Sequence, residues 1–552
     1  MRGKARAVLA VGITSVAMLA AACGGGGGEE SPGTQEGGQA GGAIVIKGCT
    51  PENPLIPGST SETCGGNIID AYTAKLIHYN TDTAAPEMDI AESIETSDNQ
   101  NFTVKLKPDY KFQDGTTVKA KNFVDAWNYT AYGPNAQAGS YFMAVIDGVA
   151  DMQCGTDANG EADCEGKKPK AKTASGLKVV DDTTFTIKTT EKISNLPVRL
   201  GYSAFSPLPD AFFADGGVDA FKKKPIGAGP FQIDSISTTE TVLSKFADYS
   251  GAQKPQVDKI TFRIYQSEEA AYSDVVANNL DYTDNIPTDM RVDEQYTADL
   301  PDRNLVRESL RFANITFSST DPQLKDNLKL RQALSIAVDR DLIAKQIFGG
   351  TVKPADGWVS PVVEGYKAGA CGEWCTFNAE KAKTLYDEAG GYKGILTLTI
   401  NGDGGHGPWA EAVCNSIKNA TGADCRVNTL PDFAQFNKFV DGGDWKGMVR
   451  AGWQGDYPSI ENFLAPIYAK GADSNWAKYD NPDFDAKLKA AAAASTTEEA
   501  NTLYQEAEAM LGQDLPTSPM WYPATVVGWS TKVTNVKVNA FGVLDYSAIS
   551  LK

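Results

Sequence analysis

The chain has 552 residues, a mass of 58.9 kDa and a formal net charge of −19 at pH 7. Its apolar content of 42% and charged content of 22% are typical of a soluble globular protein, and its length predicts two or three lobes rather than one core. Nucleic-acid binding depends on clustered lysine and arginine, and this acidic chain has no long basic run, so we expect no nucleic-acid partner.

The N-terminal segment predicts export and anchoring. Three basic residues precede an apolar run, residues 7–22, which is shorter than the roughly 20 residues of a membrane-spanning helix. We therefore predict a signal peptide over residues 1–22. Its end, LAAAC, resembles a bacterial lipobox, which implies acylation of Cys23, although Ala20 stands where that motif usually has leucine. Residues 23–42 would be the lipidated cysteine and a Gly-rich flexible tether; secretion without an anchor is the alternative.

The remaining eight cysteines fall into close pairs along the sequence. An even number of cysteines in an exported chain predicts disulfides, and sequence proximity favours local pairing. The chain has only two histidines and no C-x-x-C pair, so we expect no metal site, with a zinc cluster as the disfavoured alternative. The expected disulfides are Cys49 with Cys64, Cys154 with Cys164, Cys371 with Cys375, and Cys414 with Cys425.

The first half of the folded chain mixes strands and helices. Apolar periodicity predicts strands at residues 43–46, 102–106, 183–187, 227–233, 241–246 and 260–264, and helices at 67–79, 120–132 and 268–279. Asp114 and Gly115 predict a tight turn. The polar segment between Cys154 and Cys164 is predicted to be a surface hairpin.

The second half is predicted to be a larger α/β block. We predict helices at residues 326–348, 378–389, 408–420, 483–494 and 498–511, and strands at 395–400, 424–430 and 445–453. The strand–helix–strand order over 395–430 predicts a parallel crossover. The strand at 445–453 would then bring the residues after it to the carboxyl end of the sheet, where open α/β sheets bind ligands.

Residues 448–458, MVRAGWQGDYP, combine an arginine, an indole and a carboxylate within seven positions, separated by glycines. Glycine lets a ligand approach the backbone closely, so this pattern indicates a grip on a zwitterionic ligand. The alternative is a buried strand that ends in a turn, with Asp456 bonding to local amides.

No catalytic motif is evident. The sequence lacks G-x-S-x-G, H-E-x-x-H and a phosphate-binding G-x-x-x-x-G-K-[ST], and two histidines give little scope for histidine acid–base chemistry. We therefore predict that the chain is not an enzyme and needs no cofactor. A pair of carboxylates suited to glycoside hydrolysis stays open, because nothing selects one among 70 acidic residues.

Several segments in order resemble one family, the extracytoplasmic solute-binding proteins of peptide ABC importers, in the oligopeptide- and dipeptide-binding group. The resemblance covers about residues 43–550. The matching segments are FTVKLK (102–107), FQDGT (112–116), FVDAW (123–127), GAGPF (227–231), KITFRI (259–264), LRQAL (330–334), VDR (338–340), DYP (456–458), NFL (462–464) and NPDFD (481–485).

The resemblance implies an α/β fold of the periplasmic-binding-protein type: a class II two-lobed clam with an additional smaller domain. Lobe I would comprise residues 43–60, 206–310 and 523–552, and lobe II residues 311–522. The additional domain, residues 61–205, would pack on lobe I. The chain would be a monomeric, lipid-anchored receptor on the extracytoplasmic face of the bacterial cell membrane. It would bind oligopeptides between its lobes and deliver them to the permease of an ABC transporter.

The resemblance also implies ligand contacts. Asp456 matches the carboxylate that pairs with the peptide α-ammonium group, and Gly452, beside Trp453, matches a glycine that bonds to the peptide main chain. Arg450 and His406 match basic residues that receive the peptide carboxylate. Phe433 falls near a pocket-lining tryptophan of the family, and Tyr141 falls near a tyrosine across the cleft.

Two rival functions stay open. The same scaffold in related receptors takes oligosaccharides, nickel complexes or opines; Asp456 favours an amine-bearing ligand, and the scarcity of histidine argues against a metal complex. A secreted hydrolase is the second rival, and the missing catalytic motifs disfavour it.

Overall fold

Two large hydrophobic cores organise the folded chain. The computed structural model describes residues 38–60, 62–156, 162–472 and 474–552. One core is built from buried side chains within residues 44–282 and 527–549, and the other mainly from those within residues 310–522. The predicted signal peptide, Cys23 and the first part of the predicted tether lie outside the described residues.

The elements up to residue 310 follow the predicted mixture of strands and helices. They are β1 (Ala43–Gly48), α1 (Thr63–Tyr72), β2 (Ile77–Tyr79), β3 (Pro86–Met88), β4 (Ala91–Thr96), β5 (Asn101–Leu106), α2 (Ala120–Ala131), β6 (Gly155–Thr156), β7 (Ala162–Asp163), β8 (Leu177–Val179), β9 (Thr184–Lys188), α3 (Leu196–Arg199), α4 (Gly217–Lys223), β10 (Phe231–Ile236), β11 (Glu240–Lys245), β12 (Lys259–Ile264), α5 (Glu268–Val276), β13 (Tyr282–Thr283), α6 (Thr288–Arg291), α7 (Gln295–Asp299) and β14 (Asn304–Glu308).

The later elements are dominated by longer helices. They are β15 (Arg311–Phe317), α8 (Leu328–Ile336), α9 (Arg340–Phe348), β16 (Val352–Pro354), α10 (Ala379–Glu388), β17 (Ile395–Asn401), α11 (Gly407–Thr421), β18 (Asp424–Leu430), α12 (Phe433–Asp441), β19 (Met448–Gln454), α13 (Ile460–Tyr468), α14 (Pro482–Ala492), α15 (Thr497–Asp514), β20 (Thr517–Trp529), β21 (Val533–Thr534) and β22 (Ser550–Leu551).

One strand, β20, joins the two halves of the main sheet. The strand order in that sheet is β10-β11-β12-β1-β13-β20-β15-β19-β17-β18. Residues 517–523 of β20 pair with β15 and β16, whereas residues 524–529 pair with β13 and β14. Where the pairing changes, the Ser309 hydroxyl donates to the Pro523 carbonyl at 2.6 Å. The chain therefore crosses between its two cores at residues 308–311 and 523–524.

A separate antiparallel sheet, β4-β5-β9-β8, extends the first core. Alternate residues of β5 are buried, as its apolar pattern predicts. Helix α2 covers this sheet with Trp127, which is fully buried and donates from its indole nitrogen to the Phe205 carbonyl at 3.0 Å. Burying the indole is favourable here because its N–H keeps a hydrogen-bond partner.

The parallel crossover and the four local disulfides are confirmed. Strands β17 and β18 are parallel and joined by α11. The disulfides are Cys49–Cys64, Cys154–Cys164, Cys371–Cys375 and Cys414–Cys425. The Cys154–Cys164 segment contains the predicted hairpin, formed by β6 and β7.

The predicted helix at 326–348 is wrong as one element, because the structure divides it into α8 and α9. Asp339 begins α9 by accepting from the Leu342 amide at 3.0 Å. The buried Arg340 side chain donates to the carbonyls of Ser335 at 3.0 Å and Val338 at 3.3 Å, which closes the end of α8. A cation is favourable at that end because helix carbonyls carry partial negative charge.

The predicted boundaries also shift in two places. The helix expected at 67–79 is α1, which begins earlier because Glu62 accepts from the Gly65 amide at 2.8 Å. The strand expected from Gly227 begins only at Phe231. A Cβ atom at Gly227 would lie 2.1 Å from the Tyr72 carbonyl oxygen, so this glycine serves close packing rather than a strand.

Residues 38–42 belong to the folded body rather than to the predicted tether. The Gln39 amide donates to the Leu551 carbonyl at 2.7 Å, and the Gly42 amide donates to Asp258 at 3.0 Å. Among the described helices, none is both long enough and apolar enough to cross a membrane.

Candidate functional site

The site is built around the end of β19. This strand pairs antiparallel with β15 along its whole length, whereas β17 pairs with it only at Met448 and Val449. Within the described part of the chain, the edge of β19 from Ala451 to Gln454 therefore has no strand partner on the β17 side. An extended ligand segment could add to the sheet along this open edge.

Asp456 lies two residues beyond β19 and is fixed by one buried amide side chain. The Asp456 backbone N–H donates to Asn462 Oδ1 at 2.8 Å, and Asn462 Nδ2 donates to the Asp456 carboxylate at 3.2 Å. The same Asn462 oxygen accepts from the Trp453 indole nitrogen at 3.0 Å. Trp453 therefore orients the site through Asn462.

The Asp456 side chain is half-buried, so its carboxylate is partly desolvated. Burial raises its pKa to about 6, the hydrogen bond from Asn462 opposes that rise, and Glu461 adds to it. Arg199 acts in the opposite direction, but its guanidinium pairs with Glu461 at 3.1 Å. A partly dehydrated carboxylate gains from a cationic ligand group, because the ligand restores the interactions that water has lost.

Asp456 forms part of the wall of a cavity of about 360 Å³. Its lining combines aromatic rings with polar and acidic side chains, including Glu62, Asp70, Tyr79, Tyr202, Tyr249 and Tyr546. Pockets of this size, with few convergent polar groups on a largely preformed wall, are typical of small-ligand sites.

Tyr141, predicted across the cleft, is connected to the cavity wall through a row of aromatic rings. It lies in a 3₁₀ helix, Ala138–Val145, and its ring centroid is 4.1 Å from that of Phe142, which in turn is 4.1 Å from that of Tyr202. Burial and the Asp456 carboxylate both raise the pKa of Tyr141. The Asp456 carboxylate therefore acts electrostatically on Tyr141, whose side chain is 55% exposed.

Arg450 lies further back on β19, away from the cavity lining. Its Nε donates to Asn401 Oδ1 at 2.8 Å, and its guanidinium carbon lies 4.9 Å from the ring centroid of Phe433 and 4.6 Å from that of Phe436. Phe433 is 45% exposed at the start of α12. The structure thus joins two predicted residues, Arg450 and Phe433, in a cation–π contact remote from Asp456.

His406 and Gly452 occupy separate positions. His406 precedes α11 and its Nδ1 accepts from the Trp409 indole nitrogen at 3.2 Å. Gly452 is exposed on β19 opposite Ala313. A Cβ atom there would lie 3.2 Å from the Phe312 carbonyl oxygen, which is a tight contact. Glycine avoids this contact and leaves the backbone of β19 accessible at this position.

Sequence reasoning missed a buried polar group behind Asp456. Arg199 at the end of α3 pairs with Glu461 of α13 and lies 5.1 Å from the Tyr457 ring centroid. Glu461 also accepts from the Tyr457 hydroxyl at 2.7 Å and from Asn195 at 3.1 Å. This group links the two cores beside the site. Glu461 lies close to the DYP segment, but no local pattern marks Arg199 as its partner.

The sequence is similar to a known family and to characterised proteins. The family described as bacterial extracellular solute-binding proteins, family 5 Middle, matches residues 85–475. The periplasmic oligopeptide-binding protein OppA of Escherichia coli (strain K12) is 26% identical over 456 residues, which is 79% of each chain.

Solved structures share the fold. The ABC transporter substrate-binding protein CtaP of Listeria monocytogenes superposes with a TM-score of 0.78 at 22% identity and covers 93% of this chain and 100% of its own. The periplasmic binding protein DppA of Helicobacter pylori in complex with peptide STSA gives a TM-score of 0.72 at 20% identity, covering 93% and 98%. The two-lobed α/β fold expected from the sequence is confirmed.

Proposed function

Because the chain belongs to the bacterial extracellular solute-binding proteins of family 5, we propose that it captures oligopeptides outside the cell and delivers them to the permease of an ABC importer. It is a receptor and not an enzyme. Relatives at this level of similarity include an oligopeptide-binding protein, and one solved structure of the same fold contains a bound peptide.

The observation that carries the proposal is the open edge of β19, with Asp456 two residues beyond the end of the strand. A peptide main chain that adds to this edge gains hydrogen bonds that do not depend on its side chains. The partly desolvated Asp456 carboxylate then supplies a specific partner for the α-ammonium group at the peptide's amino end. Gly452 leaves room for the peptide backbone, and Trp453 keeps Asp456 in place through Asn462.

The remaining predicted contacts divide between the two ends of the ligand. Tyr141 would lie across the cleft at the amino end, a role supported by the electrostatic influence of Asp456 on its phenol. Arg450, nearer the start of β19, and Phe433 of α12 form a cationic aromatic site that would suit the peptide carboxylate. His406 is the second candidate for that role.

We propose that the ligand closes two lobes. Lobe I comprises residues 43–60, 206–310 and 523–552, lobe II residues 311–522, and the additional domain residues 61–205. The crossings at 308–311 and 523–524 are the hinge. A ligand that contacts both lobes shifts the population to the closed form, which the permease recognises. Acylated Cys23 would anchor this monomer at the extracytoplasmic face of the cell membrane.

Calorimetric titration with two peptides tests the proposal. Alanine peptides of three to five residues are compared with the same peptides acetylated at the amino end. We expect acetylation to weaken binding by about 2 kcal/mol, because the partly desolvated Asp456 carboxylate then lacks its cationic partner. Equal affinities would contradict the assignment of Asp456, and cleavage of the peptide during incubation would contradict a receptor.

A further inference from the structure

The two hydrophobic cores make a polar contact at the start of α13 and the end of α14. On one side are Asn99, in the turn between β4 and β5, and residues 193–199, whose Ile193 and Leu196 belong to the first core. On the other side are the first turn of α13 and the last turn of α14, two helices whose buried apolar side chains belong to the second core. The contact therefore joins the proposed additional domain to proposed lobe II.

The end of α14 accepts hydrogen bonds from the first core. Asn99 Nδ2 donates to the Ala494 carbonyl at 2.6 Å, and the Ser194 backbone N–H donates to the Ala492 carbonyl at 2.8 Å. The Ser194 hydroxyl donates to the Ala491 carbonyl at 3.4 Å. The last carbonyls of a helix lack partners within the helix. Here, residues from one core cap a helix that belongs to the other.

The start of α13 is held from the same direction. Asn195 Nδ2 donates to the Glu461 carboxylate at 3.1 Å, and Arg199 pairs with that carboxylate at the same distance. The two side chains of the ion pair are only 15% and 11% exposed. The next residue along α13 is Asn462, whose side chain holds Asp456. The contact therefore ends beside the residue that fixes Asp456.

The donor groups are fixed within the first core. Asn99 has a φ of 57°, a left-handed conformation that asparagine adopts more readily than most residues, and its N–H donates to Thr96 Oγ1 at 2.9 Å. The Ile193 N–H donates to the Asn99 carbonyl at 2.7 Å, which joins the two donor segments. Asn99 and residues 193–199 therefore form one preorganised unit.

The contact is built so that it can separate. A cavity of about 430 Å³ adjoins it, lined by Ser194 and Val198 from the first side and by Val363 and Ala500 from the second. The two sides are therefore not close-packed throughout. Water can take over the hydrogen bonds of such a contact when it separates, which limits the free energy that is lost.

We propose that Asn99 and residues 193–199 form a latch, which grips α13 and α14 when the lobes close and releases them when the lobes open. The inference rests on the proposed function, because a latch requires two lobes that move. It gives the additional domain a role, since this domain stabilises the closed form together with the ligand. Because the coupling is reciprocal, a bound peptide protects the latch and the latch slows release of the peptide.

Hydrogen exchange of the full chain, followed by mass spectrometry, measures the latch. The Ser194 amide exchanges only after its bond to the Ala492 carbonyl breaks, so exchange in residues 191–199 reports separation. An alanine peptide of three to five residues, at about ten times its Kd, should slow this exchange by about tenfold.

The variant Asn99→Gly gives a matched test, because glycine keeps the left-handed backbone and removes only the side-chain donor. Loss of one hydrogen bond should make both exchange in residues 191–199 and peptide dissociation about fivefold faster. The control is Asn278→Gly, at another left-handed asparagine, with a φ of 60° and a side-chain oxygen that accepts from the Thr531 amide at 2.7 Å. It lies outside the latch and should leave both rates unchanged.

The outcomes separate the two proposals. Equal rates in the wild type and Asn99→Gly would overturn the latch while leaving peptide binding intact. Equal acceleration in Asn278→Gly would also overturn it, because general loosening of the chain would then explain the result. Absence of binding by every peptide would contradict the proposed function. Exchange without peptide would then decide on the latch alone, with faster exchange only in Asn99→Gly supporting it and an unchanged rate overturning it.

Discussion

Peptide affinity should fall steeply as the pH decreases below 6. Asp456 binds an ammonium group only as a carboxylate, and burial raises its pKa to about 6 in the free protein. The peptide α-amino group, with an ordinary pKa of about 8, remains charged throughout. Protonation of Asp456 therefore competes with the ligand, and the bound state favours the charged form.

The magnitude follows from the fraction of Asp456 that is ionised. With a pKa of about 6, roughly half of the protein has the carboxylate at pH 6 and roughly a tenth at pH 5. The affinity should therefore fall about tenfold for each further pH unit, which is about 1.4 kcal/mol. Binding at pH 5 should also release close to one proton, because the ammonium group displaces it.

Titration calorimetry at pH 5, 6 and 7, in buffers with different ionisation enthalpies, measures both quantities. The control is Asp456→Asn, which can keep the contacts to Asn462 but has no charge. It should bind weakly and lose the pH dependence. Constant wild-type affinity from pH 7 to 5 would refute the reasoning, as would an unchanged slope in the variant. Stronger binding at low pH would instead indicate a histidine, such as His406, at the peptide carboxylate.

Three further predictions concern stability and anchoring. Burial raises the pKa of Glu508 to about 7, so the stability that its protonated form contributes is lost as the pH rises from about 4.5 to 7. The free energy of unfolding in urea should therefore be higher for Glu508→Gln than for the wild type, by up to about 3 kcal/mol above pH 7 and by little at pH 4. Glu461→Gln should lower the free energy of unfolding by about 3 kcal/mol in the same assay, because the buried Arg199 loses its counter-charge; an unchanged urea midpoint would contradict this. Cys23→Ser should release the protein into the medium on cell fractionation, whereas continued membrane retention would contradict acylation.

Local sequence patterns predict the elements that are determined by residues close together in the sequence. The β17–α11–β18 crossover follows from apolar periodicity, and the Cys414–Cys425 disulfide follows from the short separation of its two cysteines along the sequence. The break between α8 and α9 was missed because the apolar pattern continues through it. That break depends on Asp339 and Arg340, whose side chains bond to helix ends only once the chain has folded.

The same distinction applies to the site. Asp456 could be proposed from the sequence because its neighbours form a specific ordered pattern, and its role in ligand binding stays a prediction. The ion pair between Arg199 and Glu461 was not, because an interaction between distant segments leaves no periodic signal in either one. The contact of Arg450 with the aromatic rings of α12 is of the same kind, since the two segments meet only through the sheet.

If the chain binds peptides as proposed, charge at the end of β19 would be sufficient to set the direction of the bound peptide. Backbone pairing along Ala451 to Gln454 is nearly indifferent to ligand sequence, so it supplies affinity without orientation. In the reverse orientation the peptide carboxylate would meet Asp456 in a partly dehydrated site, where like charges repel strongly. The forward orientation replaces that repulsion with a charge-assisted hydrogen bond. On this proposal Asp456 would fix the direction whichever cation, Arg450 or His406, received the other end, and that second contact could vary without reversing the ligand.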